Sequence, residues 1–306
     1  MSQLINKNMK FGNILILGAS GMLGSALFKV LSDMEFEVYG TVRTLNLKRF
    51  FLDSELSRIV QNVDVLNTDD LASLFIKVKP KVVINCVGVI KQLSSSKDPL
   101  SVIPINSLFP HRLAQLCMLV GSRMVHISTD CVFDGTKGNY SESDRPDAND
   151  LYGKTKELGE ISDLEHVITL RTSIIGHEIS SSRSLVDWFL NSEGVVPGYR
   201  RAIFSGLPTY EIANVIGQFI IPNHSLSGLY HISVDPISKH DLLCLIRDVY
   251  DKKINITPMN DFEIDRSLNS EKFQRAVGYR PPSWSELIRG LKEYKEKYLG
   301  ETDVRQ

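Results

Sequence analysis

Short apolar runs alternate with amphipathic stretches along the first 176 residues. Asn13–Leu17 (NILIL), Phe36–Val42 (FEVYGTV), Asn62–Leu66 (NVDVL), Lys81–Gly88 (KVVINCVG), Met124–Ile127 (MVHI) and Val167–Thr172 (VITLRT) read as six strands. Each is short, rich in apolar or β-branched residues and bounded by turn-forming ones. Between them, Ser25–Met34, Asp69–Lys79 and Leu108–Val120 carry apolar residues at helical spacing. Residues 91–104 read as a polar connection. Strands and helices in alternation predict an α/β protein with a doubly wound parallel sheet, covered on both faces. After Gly176 the alternation stops. Residues 178–184 are polar and serine-rich, Leu185–Leu190 begins an amphipathic helix, and residues 194–209 read as irregular and punctuated by Gly and Pro. Helices are expected at Tyr210–Ile221, Ser238–Tyr250 and Trp284–Tyr298, and short extended runs at Gly228–Ser233 and Ile254–Thr257.

Composition narrows the class. The 306 residues suffice for a sizeable core, and the net charge of −1 gives no basic footprint for nucleic acid. No run of eighteen apolar residues exists, so no membrane span is expected, and the N-terminal residues lack the apolar core of a signal peptide. The four cysteines, Cys86, Cys117, Cys131 and Cys244, are scattered without metal-site spacing. The expectation is a cytoplasmic protein with reduced thiols and no metal site.

Candidate chemistry begins at the first turn. Gly18, Gly21 and Gly24 follow an apolar strand and open a helix, in Gly18-Ala19-Ser20-Gly21-Met22-Leu23-Gly24. Glycines there let backbone approach a pyrophosphate, and the helix N-terminus offers free N–H groups. The alternative is a turn that only packs a helix on a sheet. At the end of the second strand, where an acid would hold the ribose of NAD, stands Arg43. A guanidinium could pair a 2′-phosphate, which favours NADP, or simply face solvent. Asp64, beside Val65, is a candidate for the adenine amino group, and Asn85, Cys86, Val87 and Gly88 would lie against the cofactor.

The central stretch is MVHISTDCVFDGTKGNYSESDRPDANDLYGKTK, from Met124 to Lys156. Tyr152 and Lys156 are four apart and share a helix face. A lysine ammonium there would lower the phenol's pKa and make it a proton donor to a carbonyl. Thr129, at a strand's end, could hold the carbonyl oxygen. A surface helix with an unremarkable Tyr and Lys is the alternative.

With these residues in view the chain resembles the extended short-chain dehydrogenase/reductases, and within them the dTDP-4-dehydrorhamnose reductase branch. The resemblance runs from Asn13 to about Leu299. It rests on the three glycines, Ser128-Thr129-Asp130-Cys131-Val132-Phe133, Tyr152-Gly-Lys-Thr-Lys156, Leu170-Arg171-Thr172 and Gly206-Leu-Pro208-Thr209. It implies a Rossmann-type dinucleotide-binding domain at 11–176, with 228–234 returning to it. A smaller substrate-binding domain would comprise 177–227 and 235–300. Thr129, Tyr152 and Lys156 would be the catalytic trio, and Lys156 would also hold the nicotinamide ribose. Ser20, Met22 and Leu23 join the glycines among cofactor contacts. Asp130, Cys131, Trp188 and Arg201 join Thr129 among substrate contacts. Arg200, Lys239 and Arg266 are further candidates for a substrate diphosphate. The cofactor implied is NADP as NADPH, with NAD as second choice. The partner is a nucleotide-linked sugar, in surface-polysaccharide precursor synthesis, and a homodimer is left open. Two departures are Cys131, where the branch usually has an aromatic residue, and the stretch Ile90 to Ser96.

The expected activity is reduction of the C4 ketone of a 4-keto-6-deoxy sugar nucleotide. A 4,6-dehydratase would need a second carboxylate where Cys131 stands, and Arg43 counts weakly against a tightly held NAD and hence against a 4-epimerase. Cys131 with a histidine such as His177 would make an epimerase-reductase, but a small half-buried filler is the favoured role for Cys131. The alternative of another class is a nucleotide-binding regulatory subunit without turnover.

Overall fold

The computed structural model describes residues 11–43, 51–91, 97–179 and 184–300. Gln92 to Ser96 of the departing stretch, and residues 180–183 of the serine-rich run, lie outside them. β1 (Asn13–Leu17) leads through the glycine turn into α1 (Met22–Asp33), and β2 (Val38–Val42) follows. β3 spans Ile59–Gln61, earlier than the expected 62–66. Asn62 ends it with a left-handed φ of 57°, and NVDVL is a turn that buries Val63. Asn67 then caps α2 (Thr68–Val78) by accepting the Asp69 and Asp70 N–H groups.

β4 (Pro80–Asn85) is followed by a second correction. The polar connection is already helical from α3 (Pro99–Ile103), capped by Asp98. α3 continues through a π-helical turn at Pro104–Leu108 into α4 (Phe109–Val120). Pro104 and Pro110 cannot donate to the preceding turn, and the wider turn between them absorbs that loss. β5 (Arg123–Thr129), α5 (Leu151–Leu158) and β6 (Val167–Thr172) complete the first half.

The second half contains β7 (Ile174–Ile175), α6 (Leu185–Asn191), β8 (Val195–Phe204), β9 (Leu207–Pro208), α7 (Thr209–Val215) and β10 (Gly228–His231). Then come β11 (Ile237–Ser238), α8 (Lys239–Val249), β12 (Asn255–Asp265), α9 (Glu271–Val277) and α10 (Trp284–Tyr298). The segment expected to be irregular is the ten-residue β8, and the expected short run at Ile254–Thr257 is the eleven-residue β12, its parallel partner. Pro197 is tolerated because β11 pairs β8 only at Ile203 and Phe204.

Seven strands form one sheet in the order β10-β6-β5-β4-β1-β2-β3, every pairing parallel. The order reverses between β1 and β4, which places a crevice at the carboxyl ends of those strands. One face packs Ile14, Ile16 and Val125 against α1 and α7, and the other packs Leu15, Leu17 and Val83 against α2 and α4. The helix from Thr209, expected with the smaller domain, therefore belongs to the large sheet. Ile212, Ala213 and Ile216 share a core with Leu27 and Leu31. A third core, including Ile175, Phe189, Val196, Leu242 and Leu291, holds the three-stranded sheet β11-β8-β12 against α6, α8 and α10.

Candidate active site

The glycine turn is built for close approach. Gly18 has φ +84°, and a β-carbon there would meet Val87 Cγ2 at 3.3 Å. A β-carbon on Gly24 would stand 2.2 Å from the Gly18 carbonyl oxygen. The Gly18 and Ala19 N–H groups are held by Thr41 on β2. Gly21 is the N-cap of α1 without a side-chain cap, and no acid lies in the first turn. Free N–H groups with a positive dipole end and no competing carboxylate suit a phosphate. The structure thus brings Gly18, Gly24, Cys86 and Val87 together, and Gly88 lies against Asn106. Ser20, Met22 and Leu23 stand on the turn and the first turn of α1. Arg43 is exposed just past β2. Asp64 is exposed past β3, with its carboxylate accepting the Leu66 N–H, and Val65 is half-buried beside it.

Thr129 ends β5 and is buried. Its Oγ1 accepts the Cys131 N–H at 3.1 Å and donates to Asp130 Oδ1 at 3.2 Å. α5 is set by Asp150, whose carboxylate caps the Gly153 N–H at 2.8 Å and pairs with Lys91 at 2.7 Å. This helix sets the Tyr152 phenol beside Thr129. Burial, and then the negative fields of Cys131, Asp130 and Asp150, push the phenol above its ordinary value. The expected lowering by Lys156 is not found. The Lys156 ammonium instead donates to the Ile127 carbonyl at 2.7 Å, and burial pushes it down to about 8. A phenol held neutral still suits a proton donor.

Cys131 lies on the turn beside this pair, its thiol pushed up to about 12 chiefly by burial. Arg266, from the segment after β12, brings Nη1 to 3.9 Å from Cys131 Sγ and donates Nε–H to the Phe133 carbonyl at 2.7 Å. His177 does not partner Cys131. It is buried between Asp187, at 2.5 Å, and the Tyr250 hydroxyl, at 2.9 Å. Arg201 is not brought to the trio either, being exposed and paired with Glu263. A surface ion pair between adjacent strands satisfies it there. Trp188 is 40 % exposed on α6.

Two supporting groups escaped the sequence reading. Asn106, in the π-helical turn, binds the Val89 N–H and carbonyl and reaches Thr155 on α5. It ties the loop after β4 to the helix carrying Tyr152. The two flanking prolines were its available signal. Glu160 accepts from Ser128 Oγ at 2.5 Å and is chelated by Arg171 at 2.8 and 2.6 Å. This buried pair clamps the end of β5 to β6, and nothing in the spacing of 128, 160 and 171 announces it.

The model of a family described as the RmlD substrate binding domain matches residues 12–296. dTDP-4-dehydrorhamnose reductase of Aggregatibacter actinomycetemcomitans is 28 % identical over 313 residues, covering 92 % of this chain and 99 % of the relative. Methionine adenosyltransferase 2 subunit beta of Xenopus tropicalis is 26 % identical over 293 residues, covering 88 % and 84 %. Among solved structures, dTDP-4-dehydrorhamnose reductase of Bacillus anthracis in complex with NADP superposes with a TM-score of 0.75 at 22 % identity. It covers 92 % of this chain and 99 % of that one, and a likeness at this identity is one of fold.

Proposed function

Since the chain belongs to the RmlD substrate binding domain family, we propose that it is an NADPH-dependent oxidoreductase reducing the C4 ketone of a nucleotide-linked 4-keto-6-deoxy sugar. The carrying observation is the juxtaposition of Thr129, Tyr152 and Lys156 at the carboxyl edge of the large sheet, beside an uncapped helix N-terminus. The reductase relative and the NADP-bound neighbour support the reading.

The dinucleotide fits the residues present. Gly18 and Gly24 let the turn pack so closely on itself and on Val87 that β-carbons there would meet protein atoms, and the first N–H groups of α1 are free for phosphate. Arg43 would pair the 2′-phosphate, Asp64 and Val65 would face the adenine, and Cys86, Val87 and Gly88 would line the nicotinamide side. When bound, the cofactor supplies hydride. Tyr152 supplies the proton to the ketone oxygen. Lys156, anchored on the Ile127 carbonyl, would hold the nicotinamide ribose. Residues 177–227 and 235–300, without the helix from Thr209 that packs on α1, would grip the sugar nucleotide. Arg266, beside Cys131, replaces Arg201 as the cation best placed for it.

The likeness to a protein named as a subunit of another enzyme favours a second reading, a nucleotide-binding regulatory subunit. NADPH consumption over a panel of 4-keto-6-deoxy sugar nucleotides, with identification of the alcohol formed, separates the two. Consumption with a C4 alcohol as product supports the reductase. NADPH binding without consumption supports the subunit.

A further inference from the structure

The first turns of α8 (Lys239–Val249) align three side chains that the reductase reading does not use. His240 and Cys244 are four residues apart and share a helix face. His240 Nδ1 lies 2.9 Å from Asp241 Oδ1, and its Nε2 lies 3.9 Å from Cys244 Sγ. Hydrogen bonds from His240 and Ser238 hold the Asp241 carboxyl below its ordinary value, so it is charged and only accepts. The imidazole proton therefore sits on Nδ1, and Nε2 turns its lone pair toward the sulfur. β8 keeps the ring in place. A β-carbon on Gly198 would meet His240 Cδ2 at 2.9 Å, so only a glycine lets the imidazole lie this close to the strand. The His240 side chain keeps 15 % of its surface exposed, and Cys244 is half-buried.

We propose that His240 Nε2 and Cys244 Sγ form a two-ligand site for a thiophilic divalent cation of the Zn²⁺ class, with Asp241 orienting the imidazole. An imidazole nitrogen and a thiolate favour Zn²⁺ over Mg²⁺ or Ca²⁺, which take oxygen ligands. Tetrahedral Zn²⁺, with bonds of about 2.1 Å to nitrogen and about 2.3 Å to sulfur, sets those two atoms about 3.6 Å apart. Rotation of the Cys244 side chain by a few tenths of an ångström closes the difference. A metal-bound histidine is ordinarily held by a carboxylate on its other ring nitrogen, and Asp241 stands there. Among the described residues no group of three such ligands converges, so water completes the coordination.

The thiol must lose its proton to bind. Burial pushes the Cys244 thiol up, the Asp241 and Asp248 carboxylates add to this, and the Arg247 and Arg200 cations oppose it. A coordinating cation displaces that proton to solvent, and a sulfur lone pair forms the bond to the metal. The other three cysteines stand in different settings. Cys117 is fully buried, Cys86 lies against Gly18, and Cys131 has Arg266 beside its sulfur.

Titration of the reduced, untagged protein with Co²⁺ tests this, because a cobalt–thiolate bond gives a charge-transfer band in the near ultraviolet. The band should saturate at one Co²⁺ per chain, collapse on addition of Zn²⁺ and ignore Mg²⁺. Cys244→Ser and His240→Gln should each abolish it, and Cys131→Ser should keep it. Asp241→Asn should weaken Co²⁺ binding about tenfold to 10²-fold while the band at saturation persists. In the wild-type protein Zn²⁺ should also slow alkylation of Cys244 by iodoacetamide, read by peptide mass spectrometry, and this protection should vanish in His240→Gln. A wild-type protein without the band, a band that survives Cys244→Ser or is lost in Cys131→Ser, or Cys244 alkylation that is equally fast with and without Zn²⁺ would each overturn the proposal. None of these measurements requires turnover, so their outcome is independent of the reductase reading.

Discussion

Gly153 stands so near the Cys131 carbonyl that a β-carbon added to it would lie 2.3 Å from that oxygen. The same atom would lie 2.4 Å from the Ala148 β-carbon. The helix carrying Tyr152 is thereby seated on the turn carrying Thr129 and Cys131. Gly153→Ala must push the two apart, by a fraction of the distance on which proton transfer depends. We expect kcat to fall roughly tenfold to 10²-fold with NADPH affinity retained. Steady-state kinetics and cofactor titration of the variant check this.

Lys156 is a buried ammonium whose pKa is pushed down to about 8 by desolvation. A lowered lysine pKa means that the folded state disfavours the charge. Stability is therefore reduced below about pH 8, and the deficit disappears as pH rises from there toward the ordinary value of 10.5. Lys156→Met should remove the penalty, stabilising the protein by about 1 to 3 kcal/mol at neutral pH while abolishing turnover. Thermal melts at pH 7 and pH 10 check this. The gain should shrink at the higher pH.

Arg43 is exposed at the end of β2, where no acid competes for a ribose hydroxyl. NADPH should be preferred over NADH in kcat/KM, and Arg43→Ala should erase most of that preference. A ratio unchanged in the variant would show that Arg43 does not read the phosphate.

His231 sits under the catalytic loop, fully buried, with Nδ1 on the Tyr140 carbonyl at 3.0 Å and Nε2 near Arg171 at 3.4 Å. Burial, helped by the Arg171 charge, pushes it down to about 3. It is neutral when folded and takes up a proton when unfolded below its ordinary value of 6.5. Stability should thus fall as pH drops from 6.5 toward 3, with a slope of up to about 1.4 kcal/mol per pH unit from this group. His231→Asn should make the acid side of a plot of urea midpoint against pH shallower.

The sequence made the nucleotide half legible because its signals are local. A continuous apolar run such as NILIL, followed by glycines and a periodic helix, has few other folded solutions. Tyr152 and Lys156 were readable from a four-residue spacing on a capped helix. What stayed hidden depends on contacts distant in the chain. The Cys131–Gly153 approach needs the loop and the helix to be packed together first. Arg266 reaches Cys131 only because β12 ends beside the catalytic loop, where the Asp265 N–H binds the Gly135 carbonyl. β8 was misread because Pro197 and Gly198 look like a loop in isolation, whereas strand pairing with β12 on one side alone accommodates them. His177 looked available from its position after Gly176, and its capture by Asp187 and Tyr250 involves two other helices or their ends.

The central claim is that Tyr152 gives a proton to a sugar ketone. The most direct measurement is the turnover of Tyr152→Phe with NADPH and the best substrate found for the wild-type protein. Loss of a positioned proton donor should lower kcat about 10²- to 10⁴-fold, with the dissociation constant for NADPH little changed. Turnover in Tyr152→Phe equal to that of the wild type would contradict the account.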